Sequence, residues 1–325
     1  MGKAKKPVNK KKVDKIVLIS LAVFIVLNLL GAAIGTSTSI THPRRDSYEK
    51  VKQEMIDNDV WGDFDKYDKE KYTVKGLDGY ELHCMKVYTS DTVGTGKYVI
   101  YSHGHTSNMY SASKYCDAYI SLGFTVITYD LRAHGENAKA ICSMGGYEAQ
   151  DLNYLIEDTF ERYGDVDILG LQGESMGTST SLNALRYSDK IDFIVADCGM
   201  QSLKYMVHDM YNDMYLYPFG TCADIGFKVL YNIDDSQVSG IDALKGKKVP
   251  ILFVHGGDDT WIDTENSIDM YNEAKNWCYT ELWIVPGATH ARSRQVAGTE
   301  AYKSHIESFL ANAGVVQGES LSEAA

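Results

Sequence analysis

Two features are missing from this 325-residue sequence, and each excludes a class of protein. There is no excess of positive charge, because 44 acidic residues outnumber 32 basic ones and the formal net charge is −12. Nucleic-acid binding needs a basic face, so we expect no nucleic-acid partner. The six cysteines include no Cys-x-x-Cys pair, which argues against a zinc ribbon or a thioredoxin-like site. A disulfide between Cys142 and Cys222 stays open, since both lie in predicted loops.

Charge is also missing from the stretch Ile16–Gly35. A helix of this length, at about 1.5 Å per residue, spans the roughly 30 Å hydrocarbon core of a membrane. Residues 1–15 carry seven lysines against one acidic residue. The positive-inside rule therefore predicts a cytoplasmic tail (1–15), a transmembrane signal-anchor (16–35) and a catalytic domain outside the cell, in a single-pass protein of the cell membrane. The small residues of 31–35 leave a cleaved signal peptide as the alternative.

Strands and helices alternate along most of the remaining chain. Residues 36–71 read as a polar linker with an amphipathic helix near 47–57, and 72–88 read as a β-hairpin. Short apolar runs predict strands at 97–102, 124–129, 168–171, 191–196, 250–255 and 279–285, and helical patterns fall at 109–122, 146–163, 263–275 and 300–312. This alternation predicts an α/β domain over 72–312, with a mainly parallel sheet covered by helices on both faces, followed by a polar tail at 313–325.

One segment, at about 200–248, interrupts this alternation. It contains no clear strand and is rich in tyrosine and methionine. It lies between two predicted strands, where an insertion falls over the carboxyl ends of the sheet, the usual ligand side of open α/β folds. We predict a small helical cap that shapes an apolar pocket. The alternative is a group of packing helices without contact to substrate.

The strongest motif is Gly173-Glu-Ser175-Met-Gly177, which directly follows the apolar run at 168–171 and precedes a helical pattern. Strand, tight Gly-x-Ser-x-Gly turn and helix form the context of a nucleophile elbow. The flanking glycines allow a sharp turn that lifts the serine hydroxyl clear of the sheet. Ser175 is therefore the predicted nucleophile.

A serine hydroxyl needs a base to take its proton and an acid to orient that base. In elbow folds the acid and then the histidine follow the serine along the chain. His290 lies in the loop after the last predicted strand and is the predicted base. The acid comes from the turn after the strand at 250–255, where Asp259 is preferred and the adjacent Asp258 is the alternative.

The oxyanion of an acyl-transfer intermediate needs backbone N–H donors. Met176, the residue after the nucleophile, supplies one. The loop that follows the strand at 97–102 supplies the other through the N–H of His105.

Five motifs in this order resemble the α/β-hydrolase superfamily over about 72–312. They are His103-Gly104-His105-Thr-Ser-Asn108, Asp130-Leu-Arg132-Ala-His134-Gly135, Gly173-Glu-Ser175-Met-Gly177, His255-Gly-Gly-Asp-Asp259 and Gly287-Ala-Thr-His290. More narrowly, the chain is similar to bacterial membrane-anchored or secreted hydrolases of the serine-aminopeptidase-like and prolyl-oligopeptidase-like group. One departure is that Ile262-Asp263 stands where these relatives commonly have Val-Pro.

The predicted activity is hydrolysis of a small carboxylic ester through an acyl-enzyme, without metal or cofactor. A peptidase of the same fold that takes short peptides is the first alternative, because the cap holds several aspartates that could bind a substrate amino group. A catalytically silent binding module is the second alternative, and the complete set of Ser175, Asp259 and His290 argues against it.

Overall fold

The computed structural model describes residues 10–316 of the chain, so the predicted tails before residue 10 and after residue 316 lie outside the described residues. The strands are β1 (Asp68–Lys75), β2 (Glu81–Tyr88), β3 (Lys97–Ser102), β4 (Thr125–Tyr129), β5 (Ile168–Glu174), β6 (Phe193–Asp197), β7 (Ile251–Gly256) and β8 (Thr280–Val285). They form one sheet in the order β1-β2-β4-β3-β5-β6-β7-β8. The six strands from β3 to β8 run parallel, and the β1–β2 hairpin pairs antiparallel to β4.

Helices lie on both faces of this sheet, and further helices form the predicted cap and the N-terminal segment. They are α1 (Lys10–Thr41), α2 (Tyr48–Asp57), α3 (Ser113–Ser121), α4 (Tyr147–Tyr163), α5 (Met176–Ala184), α6 (Leu203–Asp213), α7 (Tyr217–Tyr231), α8 (Gly240–Ala243), α9 (Glu265–Ala274), α10 (Ser293–Ala297) and α11 (Thr299–Asn312). The predicted α/β class, with a mainly parallel sheet covered on both faces, is confirmed.

Two apolar cores result from the alternation of side chains along each strand. In β3, Ile100 points into the core formed with α4 and α5, whereas Val99 and Tyr101 point into the core formed with α3 and α11. All three side chains are buried. The continuous apolar runs of the sequence therefore belong to strands that are covered on both sides, as expected for a parallel sheet.

The predicted strands and helices lie close to those of the structure. The amphipathic helix expected near 47–57 is α2, and the hairpin turns at Gly76–Tyr80. The bounds of the predicted linker differ from the structure. α1 continues to Thr41, and β1 begins at Asp68, so regular structure reaches into the 36–71 stretch from both ends.

The segment predicted as a cap contains α6, α7 and α8, with a single isolated bridge between Ser202 and Ser239. α6 and α7 form a helical hairpin, and α8 packs against α5 and α9 of the main domain. α1 is long and apolar enough to be a candidate membrane span. Its last three turns pack against α7, so the first helix of the chain is joined to the cap.

Candidate active site

Ser175 lies in the tight turn between β5 and α5. Its φ of 55° and ψ of −118° are strained values for a residue with a side chain. A Cβ on Gly177 would lie 1.9 Å from the carbonyl oxygen of Ser102, and a Cβ on Gly173 would lie 2.5 Å from the Cα of Thr178. Both positions therefore need glycine, which is the physical reason for the Gly-x-Ser-x-Gly pattern.

The structure brings Ser175, His290 and Asp259 together in one hydrogen-bonded row. The loops after β7 and β8 carry Asp259 and His290 to the carboxyl edge of the sheet, where the turn after β5 also ends. His290 Nδ1 donates to Asp259 Oδ2 at 2.7 Å, and Ser175 Oγ lies 2.9 Å from His290 Nε2. Since a carboxylate only accepts, Nδ1 carries the proton and Nε2 is free to accept the serine proton.

Asp259 is held in place by four donors. Its Oδ1 accepts the backbone N–H groups of Trp261 at 2.9 Å and Ile262 at 3.1 Å. Its Oδ2 faces His290 and also lies 3.2 Å from His255 Nε2. Burial raises the pKa of Asp259, but the hydrogen bonds from His255 and His290 outweigh burial and hold the pKa well below its usual range. The carboxylate is therefore charged at neutral pH.

This geometry distinguishes the two adjacent aspartates, Asp258 and Asp259. Asp259 is buried against His290, whereas the side chain of Asp258 is exposed. Trp261, two residues further, stacks on the ring of His290 with 6.2 Å between ring centres. Its indole is 84% exposed, so one face of the ring lies against His290 while most of the ring is in contact with solvent.

The two predicted oxyanion donors flank Ser175. A Cβ on Gly104 would lie 3.5 Å from the Cβ of Ser175, so the loop before His105 runs directly beside the serine. Within residues 10–316 the N–H of His105 donates no hydrogen bond. The N–H of Met176 is in the first turn of α5, where the helix offers it no partner. The His105 side chain points away, and its Nε2 lies 3.1 Å from the carbonyl oxygen of Ile40.

A buried ion pair beneath the serine was not predicted from the sequence. Lys114 Nζ lies 2.6 Å from Glu174 Oε2, and both side chains are buried. The same ammonium lies 3.4 Å from the carbonyl oxygen of Ala291, the residue after His290. The pair therefore links the turn that carries Ser175 to the loop that carries the histidine.

A second buried acid, Asp197, lies beside Glu174 in the neighbouring strand. The hydroxyl of Tyr115 donates to Glu174 at 2.7 Å and reaches Asp197 at 3.2 Å, and Tyr302 donates to Asp197 at 3.0 Å. Burial, and then the charge of Glu174, raise the pKa of Asp197 to about 6. This cluster supports the base of the site and does not reach the serine hydroxyl.

These supporting residues carried little signal in the sequence. Glu174 lies inside the motif, but its partner Lys114 is 60 residues away on a helix with no distinctive pattern. His255 lies near the end of β7, and nothing in its sequence neighbourhood predicts its contact with Asp259. Trp261 lies in the turn of the acid, and only its type, a large aromatic in a loop, could have suggested a role at the surface of the site.

One group of described residues brings metal-binding atoms together. The donor atoms of His105, His134 and Cys142 lie within 4.8 Å of one another behind the His105 loop. Burial lowers the pKa of His134 and raises that of Cys142, so both side chains are stable there as neutral groups. All six cysteines are free thiols, including Cys142 and Cys222.

Comparison with known proteins agrees with this architecture. A family model described as "alpha/beta hydrolase fold" matches residues 97–221. The uncharacterized protein YqkD of Bacillus subtilis is 27% identical over 296 residues, which cover 89% of this chain and 95% of that protein. The match therefore extends over nearly the whole length of both proteins.

Two solved structures show the same fold. The esterase Pf2001 of Pyrococcus furiosus superposes with a TM-score of 0.65 at 22% identity, covering 84% of this chain and 98% of the esterase. An acylaminoacyl peptidase of Pyrococcus horikoshii superposes with a TM-score of 0.60 at 17% identity, covering 78% of this chain and 43% of the peptidase. The strand order, the elbow turn and the family model agree, and this chain has the α/β-hydrolase fold.

Proposed function

We propose that this protein is a serine hydrolase that cleaves carboxylic esters through an acyl-enzyme. The observation that carries the proposal is the continuous row from Asp259 through His290 to Ser175, with both contacts at hydrogen-bonding distance. A serine, an imidazole and a buried carboxylate in this order are the groups that acyl transfer requires. Ser175 is partly exposed at the carboxyl end of β5, so its oxygen can meet a substrate carbonyl.

In the first step His290 Nε2 takes the proton of Ser175 while the serine oxygen bonds to the ester carbonyl carbon. The oxyanion so formed accepts hydrogen bonds from the N–H groups of His105 and Met176. His290 then gives its proton to the departing alcohol, and the acyl group remains on Ser175. Water attacks the acyl carbon while His290 Nε2 takes a proton from the water. His290 then returns this proton to the Ser175 oxygen as the bond to the acyl carbon breaks and the carboxylic acid leaves. Asp259 stabilises the charged imidazole throughout.

Cleavage of short peptides is the alternative activity. It would need cap acids that are free to bind a substrate amino group. Asp224 is paired with His208, and Asp234 is paired with Lys228. Asp235 accepts a hydrogen bond from the backbone of the α6 first turn.

These three cap acids thus make contacts within the cap, whereas Asp209 and Asp213 of α6 form no ion pair within residues 10–316 and are the acids left to bind an amino group. Rates on p-nitrophenyl esters and on aminoacyl anilides, measured side by side, decide between the two.

A fluorophosphonate probe tests the nucleophile. We expect it to label the folded full-length chain at Ser175, with labelling and p-nitrophenyl ester turnover both abolished in Ser175→Ala. Ser181, a buried serine in α5, offers the matched control Ser181→Ala, which should keep both. Full turnover in Ser175→Ala would rule out the proposed chemistry.

We further propose that α1 is an uncleaved anchor and that the catalytic domain lies outside the cytoplasmic membrane. Ala32, Ser37 and Thr41 of α1 are buried against the domain, and Thr38 hydrogen-bonds to the hydroxyl of Tyr231 at 2.7 Å. Cleavage after residue 35 would remove the first of these contacts and fray the rest. Mass spectrometry of the protein from purified membranes tests this, and an N-terminus beyond residue 30 would contradict it.

A further inference from the structure

The α6–α7 hairpin of the cap exposes an apolar tip. The ten residues Met214–Ala223 carry no charge. At the tip, Met214, Tyr215, Leu216 and Tyr217 are all exposed, and Tyr215 is 81% exposed. Such a run on a water-facing surface is unfavourable, because burial of apolar surface stabilises a protein by about 25 cal/mol per Å², and surface left in water does not contribute this free energy.

The tip is continuous with the candidate membrane helix. A Cβ on Gly226 of α7 would lie 2.0 Å from the carbonyl oxygen of Ala33, so the backbones of α7 and α1 touch there. Five residues further along both helices, Tyr231 bonds to Thr38. The equal spacing means that α1 and α7 run in the same direction.

This shared direction decides where the tip points. Gly226 lies level with Ala33, which is within the predicted membrane span 16–35. From Gly226 back to Tyr217 is nine residues, or up to about 13 Å along the helix axis. The N-terminal end of α7 therefore points from the outer end of the span into the outer leaflet. Because residues 16–28 of α1 are all exposed, this end stands apart from the apolar surface of α1.

Charge within the hairpin limits how deeply the tip can lie. Asp213 directly precedes Met214, and its exposed side chain forms no ion pair within residues 10–316, so this carboxylate must stay at the level of the lipid headgroups.

Asp224 follows the uncharged run, and its carboxylate lies 2.7 Å from Nε2 of His208 on α6. This hydrogen-bonded contact is formed inside the hairpin and lowers the cost of bringing Asp224 near lipid. Tyr215 and Tyr217 have the amphipathic rings that are enriched where a protein crosses the membrane–water interface.

The site itself opens close to the same surface. Ile40, in the last turn of α1, accepts a contact from the His105 side chain at 3.1 Å, and His105 belongs to the proposed oxyanion loop. From Gly35, the end of the predicted span, to Ile40 is about 8 Å of helix. The site is therefore only about one and a half helical turns above the predicted membrane surface.

We propose that the tip at 214–219 is inserted into the outer leaflet of the bilayer, and that the substrate is an acyl ester whose chain resides in that leaflet. This inference rests on the proposed function for its substrate and on the α1–α7 contact for its membrane face. An ester drawn from the leaflet reaches Ser175 without crossing bulk water.

The membrane contact is tested without any enzyme activity. The full-length chain carries a benzophenone amino acid in place of Leu216 and is reconstituted in nanodiscs of palmitoyl-oleoyl phosphatidylcholine. The matched control carries it in place of Val93, which is 61% exposed at the opposite edge of the sheet. After irradiation we expect lipid adducts at position 216 and none at position 93. No lipid adduct at 216, or an adduct to a second copy of the chain, would overturn the proposal.

The substrate is tested with Leu216→Asp and Val93→Asp in vesicles of the same lipid. The readout is the ratio of turnover of p-nitrophenyl palmitate in the bilayer to turnover of soluble p-nitrophenyl acetate. We expect Leu216→Asp to lower this ratio at least about fivefold, because a carboxylate resists insertion into hydrocarbon. Equal ratios in the two variants would refute the leaflet substrate. Loss of fluorophosphonate labelling with lipid adducts retained would refute the esterase alone.

Discussion

The substitution Asp259→Asn tests the hydrogen bonds from Asp259 through His290 to Ser175 at the buried acid. The Oδ1 atom of Asp259 accepts two fixed backbone N–H groups, from Trp261 and Ile262. An asparagine at this position has one acceptor oxygen, and those two donors will hold it. Its NH2 group must then face Nδ1 of His290, which lies 2.7 Å from Oδ2 in the native chain.

An NH2 group that donates to Nδ1 forces the imidazole proton onto Nε2, the atom that faces Ser175 Oγ at 2.9 Å. Nε2 can then no longer accept the serine proton. Loss of the orienting carboxylate by this route lowers kcat by roughly 10⁴ in serine hydrolases, or about 5 kcal/mol of transition-state stabilisation. We expect a loss of about 10³ to 10⁴ here.

The adjacent Asp258 gives the matched control, because its side chain is exposed and carries the same charge. The assay is kcat for p-nitrophenyl butyrate with active-site titration, and circular dichroism confirms that each variant is folded. We expect Asp258→Asn to stay within about threefold of the parent. An Asp259→Asn variant that keeps more than a tenth of the activity, or an Asp258→Asn variant that loses as much as Asp259→Asn, would refute the orienting role of Asp259.

Two further predictions concern the buried charges below the serine. Because the folded-state pKa of Asp197 is raised to about 6 from 3.8, its contribution to stability is present below pH 3.8 and is lost as pH rises through about 6. Asp197→Asn should therefore gain about 2.5 kcal/mol in free energy of unfolding relative to the parent between pH 4 and pH 7.5, and equal pH slopes in urea titrations would contradict this. Lys114→Met leaves Glu174 buried without its cation and should cost roughly 3–5 kcal/mol. Adding Glu174→Gln should restore part of that loss, and strictly additive losses in the double variant would count against the pairing.

Much of the fold followed from short-range patterns. The apolar runs and helical periods located the strands and helices of the domain, because burial on both faces of a sheet demands apolar residues at every position of a strand. The turn at Ser175 left a local pattern, although only Gly173 is required by a contact within the turn. Gly177 is required by the close approach of Ser102 at the end of β3. The boundaries were less accurate, as β1 and α1 extend into the predicted linker.

The choice between Asp258 and Asp259 as the acid of the site depends on contacts between distant parts of the chain. Asp258 and Asp259 have the same chemistry and nearly the same position in the sequence, which therefore left both open. Only the path of the turn after β7 points Asp259 towards His290, 31 residues away. The same holds for Lys114, whose contact with the carbonyl of Ala291 joins residues 177 positions apart.

By itself, then, the sequence determined the α/β class, the Gly-x-Ser-x-Gly turn and the apolar N-terminal helix, because each leaves a pattern of residue types within a short stretch of the chain. The tertiary structure decided which aspartate faces the histidine, which buried cation supports the turn, and that α1 lies against α7 in the same direction. These features depend on how distant surfaces pack. No periodicity or spacing records that Gly226 meets Ala33 nearly two hundred residues earlier in the chain.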